Sequence, residues 1–308
     1  MTRPPVELRA EPPGRRRGYW MQAFRRLLRE PAALASVVVL AALLLIGALA
    51  GRIEPEGWNR IDLSGQWLNH APTLAGGHLL GTDQIGRDVL ARTVWGLQTT
   101  EQTALVGALL ATLLGVGVGA LAGLRGGWLD TGLMRAADLV TGFPTIVVLI
   151  VCFVWLRPVT VWEATLVFSL TLWTFVARVV RARVAGLATQ EFVLAARGLG
   201  ASERRVFFRH VLPNSTGTVI VAATALVGQI VLVEATSEFF GYGVASVRRP
   251  TLGNLIAETT REGIGPNALG IGWWVWVVPC AVLVLLLGCV NVAGDGLQAA
   301  LDPRTRRH

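Results

Sequence analysis

Lysine is absent from this sequence of 308 residues, and all 28 basic side chains are arginines. A nucleotide-binding P-loop, G-x-x-x-x-G-K-[ST], needs a lysine to reach the phosphates, so this sequence contains none. Charged residues of both signs are also scarce, at 16% of the chain, against about 25% in soluble domains. Hydrophobic residues make up 53%, and the mean hydropathy is +0.53. This balance points to lipid as the solvent.

Cysteine and histidine are too few and too scattered to build a metal centre. Cys152, Cys280 and Cys289 lie in apolar runs without the spacing of a zinc site or a disulfide framework. His70 and His78 share one segment but lack the i, i+4 spacing of a helical metal site. The sequence therefore predicts no metal and no cofactor bound by this chain.

Six segments have the length and apolarity of membrane-spanning helices, which need about 20 mostly apolar residues each. They are Ala32–Ala50, Thr103–Leu124, Ala136–Leu156, Val161–Val180, Thr216–Val233 and Gly272–Ala293. Pro144 interrupts the third and Pro279 the sixth, which membrane helices tolerate when neighbours satisfy the freed backbone groups. The sequence predicts an all-α polytopic membrane protein with six transmembrane helices.

The first apolar segment has a second interpretation, because Ala48–Leu49–Ala50 resembles a signal-peptidase site. Its apolar run exceeds the usual 7–15 residues of a signal peptide, which favours a retained helix. The second segment carries glycines that let helix backbones approach closely, which favours packing within a bundle or against a partner. These are Gly107, Gly115, Gly117, Gly119 and Gly123.

The arginines are distributed unequally between the two sides of such a bundle. With the N-terminus inside and six alternating helices, most of the 28 arginines fall in cytoplasmic segments. This asymmetry follows the positive-inside rule and predicts that both termini are cytoplasmic. It also accounts for the net charge of +8 without nucleic acid.

The segment Glu191–Asn214, "EFVLAARGLGASERRVFFRHVLPN", has the pattern of a helix-turn-helix. Helical spacing of apolar residues ends at Gly200, a position suited to a left-handed helix terminus, and Ser202 can cap a second helix that Pro213 ends. Such a segment suits DNA recognition in a soluble protein. Here membrane helices flank it on both sides, so two short helices offered to a cytoplasmic protein fit better.

This segment resembles the EAA loop of ABC-importer permeases. Three further stretches resemble the C-type permease of the dipeptide/oligopeptide/nickel branch. They are "HLLGTDQIGRDVLARTVWG", "RGGWLDTGLMRAADLVTGFP" and "NVAGDGLQAALDPR". The family usually has glutamate immediately before the alanine pair of the loop, where this sequence has Leu194. An apolar residue at that position suits a more apolar groove on the ATPase.

The resemblance implies a permease subunit of an ATP-driven importer for peptides or a related small solute, in the inner membrane of a prokaryote. Its implied partners are a homologous B-type permease, two cytoplasmic ATPase subunits that hold ATP and Mg, an extracytoplasmic substrate-binding protein and membrane lipid, with no nucleic acid. The residues implied to couple to the ATPases are Glu191, Leu194, Ala195, Ala196, Gly200, Ala201, Ser202, Arg205, Leu212 and Pro213.

The implied division of the chain has five parts. They are a cytoplasmic arginine-rich segment at 1–30, the first transmembrane helix at 31–51, an extracytoplasmic loop at 52–101, the permease core at 102–295 with its coupling loop at 188–213, and a cytoplasmic tail at 296–308.

Charged residues near the predicted helix ends form a second group of candidates. Asp83–Arg87 and Asp88–Arg92 have i, i+4 spacing and would pair along an amphipathic helix at the outer membrane face. A charge near a helix end can reach water, whereas one at the bilayer centre costs about 2.5–3.5 kcal/mol. The candidates for the translocation path or an outer gate are Glu234, Glu238, Asp83 and Arg87.

Two other functions fit a membrane chain of this composition. A secondary transporter or channel would work without ATP and would show mid-span charges or inverted repeats with broken helices. A membrane-anchored regulator would use the helix-turn-helix on nucleic acid, but arginines on every inner segment argue against it.

Overall fold

The computed structural model describes residues 21, 25, 27, 30–55, 57–61, 66–244, 249–263 and 272–301. Most of the predicted N-terminal segment 1–30, and the end of the predicted tail, lie outside these residues. The described residues form helices and loops, with an isolated antiparallel bridge between Thr82 and Asp88. The helices are α1 (Pro31–Ala48), α2 (Ala50–Ile53), α3 (Val89–Arg125), α4 (Gly127–Thr141), α5 (Thr145–Trp155), α6 (Val161–Ala188), α7 (Glu191–Gly198), α8 (Glu203–Val206), α9 (Leu212–Phe239), α10 (Leu252–Gly263) and α11 (Trp274–Leu301).

Among the described residues, 5 helices are long and apolar enough to cross a membrane: α1, α3, α6, α11 and a continuous helical run from Glu203 to Phe239. The predicted third span is not one straight helix, because α4 and α5 are bent by 76° at the break between them. Pro144 explains the bend, since it disfavours helical geometry at the residue before it and donates no backbone hydrogen bond. The bent pair gives a sixth crossing if it is one span.

The helix that contains the predicted second span begins much earlier than Thr103. α3 starts at Val89, where the carboxylate of Asp88 accepts a hydrogen bond from the Ala91 amide at 2.9 Å and caps the helix. Its 37 residues correspond to a length of roughly 55 Å. That exceeds the hydrocarbon thickness of about 30 Å, so part of the helix within the predicted loop 52–101 extends beyond the lipid core.

The glycines of α3 pack against α6 within the chain, which resolves the choice between internal and external packing. A Cβ on Gly115 would lie 2.7 Å from the Val176 Cβ, and one on Gly119 would lie 2.4 Å from the Ala177 carbonyl oxygen. Gly123 approaches Arg181 in the same way. Because the residue numbers rise together on both helices, α3 and α6 run parallel, joined by a seam of small residues at every fourth position. Gly117 lies outside this seam, and a Cβ added there would meet no atom within 4 Å.

The remaining spans close around this pair with antiparallel contacts. α9 packs on α11, where Gly228 lies against Asn291 and Gly294 against Thr224. α11 also packs on α1 through Gly296, whose Cβ would lie 2.5 Å from that of Ala33. The apolar core between them is closed by fully buried side chains, with the Phe153 and Phe168 rings packed edge to face at 5.6 Å. The other fully buried side chains of this core include Leu149, Val176, Leu226 and Ile230.

This arrangement gives the bundle two distinct ends. At one end the segment between α6 and α9 forms two short helical arms, Glu191–Val211, here called the hairpin. At the other end the loop 66–88 meets α10 and the start of α11, and these are here called the cap.

Candidate functional site

The hairpin has a sharply defined turn. α7 ends at Gly198, and Gly200 adopts φ +80°, the left-handed conformation expected from the sequence. The Ala201 amide donates to the Ala196 carbonyl at 3.1 Å, and the Gly200 amide donates to the Arg197 carbonyl at 2.9 Å. These two bonds are the Schellman pattern, which satisfies the last carbonyls of a helix.

The second arm begins as the sequence predicts, but it does not end at Pro213. The Ser202 hydroxyl accepts a hydrogen bond from the Arg205 amide at 3.4 Å and caps α8. A π-helical turn, Phe207–Val211, then carries the chain directly into α9. Pro213 lies in the first turn of α9, directly after the π-helical turn, and the helical run continues past it. The prediction that Pro213 ends the second helix was therefore wrong.

Buried valines and one arginine hold the hairpin rigidly against the bundle. Val193, Val206 and Val211 are fully buried. The Arg197 guanidinium forms a two-pronged ion pair with Glu203, with N–O distances of 2.8 and 3.0 Å, and also donates to the Ala188 carbonyl at 3.2 Å. Arg197 thus links both arms to the end of α6.

The outer face of the hairpin is exposed and partly apolar. Leu194 is 53% exposed and Leu199 is 90% exposed. The residues that the resemblance assigned to coupling separate into two groups. Those exposed to solvent are Glu191, Leu194, Ala195, Gly200, Ser202 and Arg205. Those partly buried are Ala196, Ala201, Leu212 and Pro213.

In the cap, an ion-pair network replaces the predicted amphipathic helix. Asp83 lies in a turn and not in a helix; its carboxylate accepts from Arg87 Nε at 2.6 Å and Arg92 Nη1 at 3.0 Å. Both arginines also contact Glu258 of α10, at 3.3 and 2.8 Å. The Asp83–Arg87 pair therefore exists, whereas the predicted Asp88–Arg92 pair does not.

Asp88 instead has two other partners at the start of α3. It caps the helix, and its second oxygen lies 2.8 Å from His78 Nδ1. The ring of His78 also lies near that of Trp67, with centroids 5.0 Å apart. Among the described residues, no group of three or more histidine, cysteine or acidic side chains has the arrangement of a metal site.

Glu238 is buried and joins two helices of this chain. Its carboxylate accepts from the Asn254 amide at 3.1 Å, the Val244 amide at 3.3 Å and the Thr251 hydroxyl. It therefore holds the start of α10 to the end of α9. Gly243 and Gly253 leave room for it, because a Cβ at either position would lie within 2.7 Å of its side chain.

Glu234 is buried one turn earlier on α9. It is 1% exposed and has Thr100 and Thr103 of α3 as polar neighbours. Glu234 is therefore enclosed within this chain, and its place on the translocation path stays a prediction. Neither it nor Glu238 lies on an open surface of this chain.

These features define a class: an all-helical, multi-pass membrane protein that presents a rigid helical hairpin at one end of its bundle. Residues 115–307 match the family described as "Binding-protein-dependent transport system inner membrane component", and the chain belongs to that family. Residues 18–72 match the N-terminal TM domain of oligopeptide transport permease C. The chain is thus an inner-membrane permease subunit of an ABC importer and not an enzyme.

Curated relatives match over nearly the whole length of the chain. A putative peptide permease of Brucella suis is 34% identical over 287 residues, which cover 93% of this chain and 92% of the relative. The oligopeptide transport system permease protein OppC of Mycobacterium tuberculosis is 35% identical over 288 residues, covering 92% and 94%. The dipeptide transport system permease protein DppC of Bacillus subtilis is 32% identical over 291 residues, covering 94% and 87%.

A solved structure of the MetNI methionine ABC transporter, in an inward-facing conformation, shares the fold. The TM-score is 0.57 at 21% identity, over 69% of this chain and 97% of that chain. This similarity independently supports the helical arrangement.

Proposed function

We propose that the chain forms half of the translocation path of an importer for peptides or a related small solute. The relatives named as oligopeptide and dipeptide permeases support this substrate class. The second half is a homologous B-type permease, and an extracytoplasmic binding protein delivers the substrate. Two cytoplasmic ATPase subunits hold ATP and Mg, because this sequence has no P-loop lysine.

The hairpin is the ATPase-docking element in this proposal. The observation that carries the proposal is a rigid turn beside exposed leucines: Gly200 has φ +80°, and Leu194 and Leu199 are 53% and 90% exposed. With Phe192 and Phe208, which are 43% and 57% exposed, these leucines give one short hairpin four large exposed apolar side chains. Several exposed apolar residues gathered on one surface element are typical of a protein contact. Docked there, the hairpin would transmit ATPase closure into the bundle, because its arms continue into α6 and α9.

The two hairpin glycines offer a matched test of this role. A Cβ at Gly200 or at Gly198 meets no atom within 4 Å, but only Gly200 has a positive φ. Gly200→Val should therefore strain the turn, whereas Gly198→Val should not. In proteoliposomes that contain both permeases and both ATPases, we expect Gly200→Val to lose ATPase association or to hydrolyse ATP without transport. Gly198→Val should retain most of both activities.

Ala196→Glu is a second probe of the same contact. It places a charge at a half-buried position of α7, so we expect it to weaken ATPase association. If Gly200→Val and Ala196→Glu both keep wild-type transport and ATPase association, the hairpin is only a connector between membrane spans and the docking proposal fails.

The same proposal places the hairpin in the cytoplasm and the cap outside. On a background without Cys152, Cys280 and Cys289, single cysteines at Leu74 and Ser202 report the two sides. Leu74 is 87% exposed and Ser202 is also exposed. In intact cells an impermeant thiol reagent should label Leu74→Cys, and it should label Ser202→Cys only after permeabilisation. The reverse pattern would invert the topology.

A further inference from the structure

The second arm of the hairpin carries a basic surface that the apolar docking contact leaves unexplained. A surface depression is lined by Ser202, Arg204, Arg205, Phe208, Arg209 and His210. Arg204 and Arg205 are exposed, and Phe208 is 57% exposed between the arginines. This set of six residues is called the basic patch below.

The acidic groups of the hairpin do not neutralise this patch. Glu203 is committed to Arg197, at 2.8 and 3.0 Å, within the turn. The other glutamate of the hairpin, Glu191, lies at the start of the first arm. The structure gives the guanidinium groups of Arg204 and Arg205 no acidic partner among the described residues. Two adjacent positive side chains, Arg204 and Arg205, are thus left exposed without a compensating negative charge.

The basic patch is continuous with the apolar docking face. Ser202 belongs both to the turn that follows Leu199 and to the lining of the patch. The rings of Phe192, on the first arm, and His210, in the patch, have centroids 6.5 Å apart. A partner seated on the exposed leucines would therefore extend over the arginines.

We infer that the ATPase surface receiving the hairpin is an apolar groove with an acidic rim, whose carboxylates pair with Arg204 and Arg205. This inference rests on the proposed docking function and specifies the chemistry of its partner. Charge complementarity steers association and fixes the register of an interface, and it weakens as salt screens it. Arginine suits this role because its planar fork pairs with a carboxylate through two hydrogen bonds.

The test measures the affinity of the purified ATPase subunits for the two-permease complex in neutral detergent, at several salt concentrations. We expect Arg204→Glu/Arg205→Glu to weaken association about tenfold at low salt, with a smaller loss at high salt. Arg204→Lys/Arg205→Lys keeps the charge and should stay within about threefold of wild type. Arg125→Glu, at an exposed arginine at the end of α3, is the matched control and should bind like wild type.

The same variants in nanodiscs distinguish a protein partner from lipid. If the double glutamate variant loses affinity only in discs of phosphatidylglycerol, and not in detergent or phosphatidylcholine, the patch binds anionic headgroups and the inference is wrong. Equal affinity and equal salt dependence for all variants would also overturn it, while leaving the docking function intact. Failure of the wild-type complex to bind ATPase at all would refute the docking function itself.

Discussion

The two ends of the bundle satisfy their charges in opposite ways. In the cap, Asp83 is 3% exposed and Arg92 is 4% exposed; they pair with each other, and Arg92 also pairs with Glu258. In the hairpin, Arg204 and Arg205 are exposed, beside leucines that also face outwards. The cap thus pairs these charges within the chain, whereas the hairpin leaves Arg204 and Arg205 without an acidic partner among the described residues. We interpret the first as a rigid anchor and the second as a surface built for another protein.

The largest effect is expected from breaking the cap network. Asp83→Ala removes one of the two carboxylates that Arg87 and Arg92 contact, and it leaves Glu258 as the other. Because the site is buried, we expect the free energy of unfolding to fall by about 3–5 kcal/mol, the usual cost of removing one member of a buried pair. Asp138→Ala is the control, because its pair with Arg178 at 3.0 Å is half exposed, and such pairs contribute about 0–1 kcal/mol. Thermal unfolding of the purified complex, followed by tryptophan fluorescence, measures both.

Equal shifts in the unfolding temperature for these two variants would contradict the comparison. The cap charges would then be no more important to the fold than an exposed pair. A large shift for Asp83→Ala alone would support the cap as an anchor.

A smaller effect is expected at the seam of α3 and α6, which joins the two ends. In Gly119→Ala the new methyl group would lie 2.4 Å from the Ala177 carbonyl oxygen, and we expect a loss of about 1–3 kcal/mol. In Gly117→Ala the methyl group enters open space, so alanine should be neutral or stabilise the helix by up to about 1 kcal/mol. Unfolding temperatures of the two variants provide the measurement. If the variants behave alike, the parallel seam is incorrectly placed.

Local sequence signals were enough to predict the hairpin but not the cap. The positive φ of Gly200 and the cap at Ser202 follow from residues within one turn of each other. The cap depends on Glu258, which lies 171 residues along the chain from Arg87. Nothing in the spacing of Asp83, Arg87 and Arg92 indicates that partner, so a local helical pairing was the available prediction.

The same distinction explains the other differences between sequence and structure. Hydropathy locates apolar segments, so it predicted the spans. It does not indicate how far α3 extends beyond the lipid or how sharply α4 and α5 are bent relative to each other. Glu234 and Glu238 were predicted as candidates for the translocation path or an outer gate because they are charged and lie close to a helix end. Glu238 is buried where α10 returns over α9, and Glu234 lies against Thr100 and Thr103 of α3; no local pattern in the sequence encodes these tertiary contacts.

The smallest effect on stability is expected at Leu194, where the sequence departs from the usual glutamate of the family. The side chain is 53% exposed, so Leu194→Glu should change the free energy of unfolding by no more than about 0.5 kcal/mol. ATPase association should nevertheless weaken, because the glutamate would have to be desolvated in a groove shaped for leucine. Leu194→Met keeps the apolar contact at similar volume and is the control.

The measurements are thermal unfolding and capture of the ATPase subunits by the two-permease complex. If Leu194→Glu unfolds as wild type and captures ATPase equally well, the exposed leucine contributes nothing to docking, and the contrast between a closed cap and an open hairpin would then rest on the arginines alone.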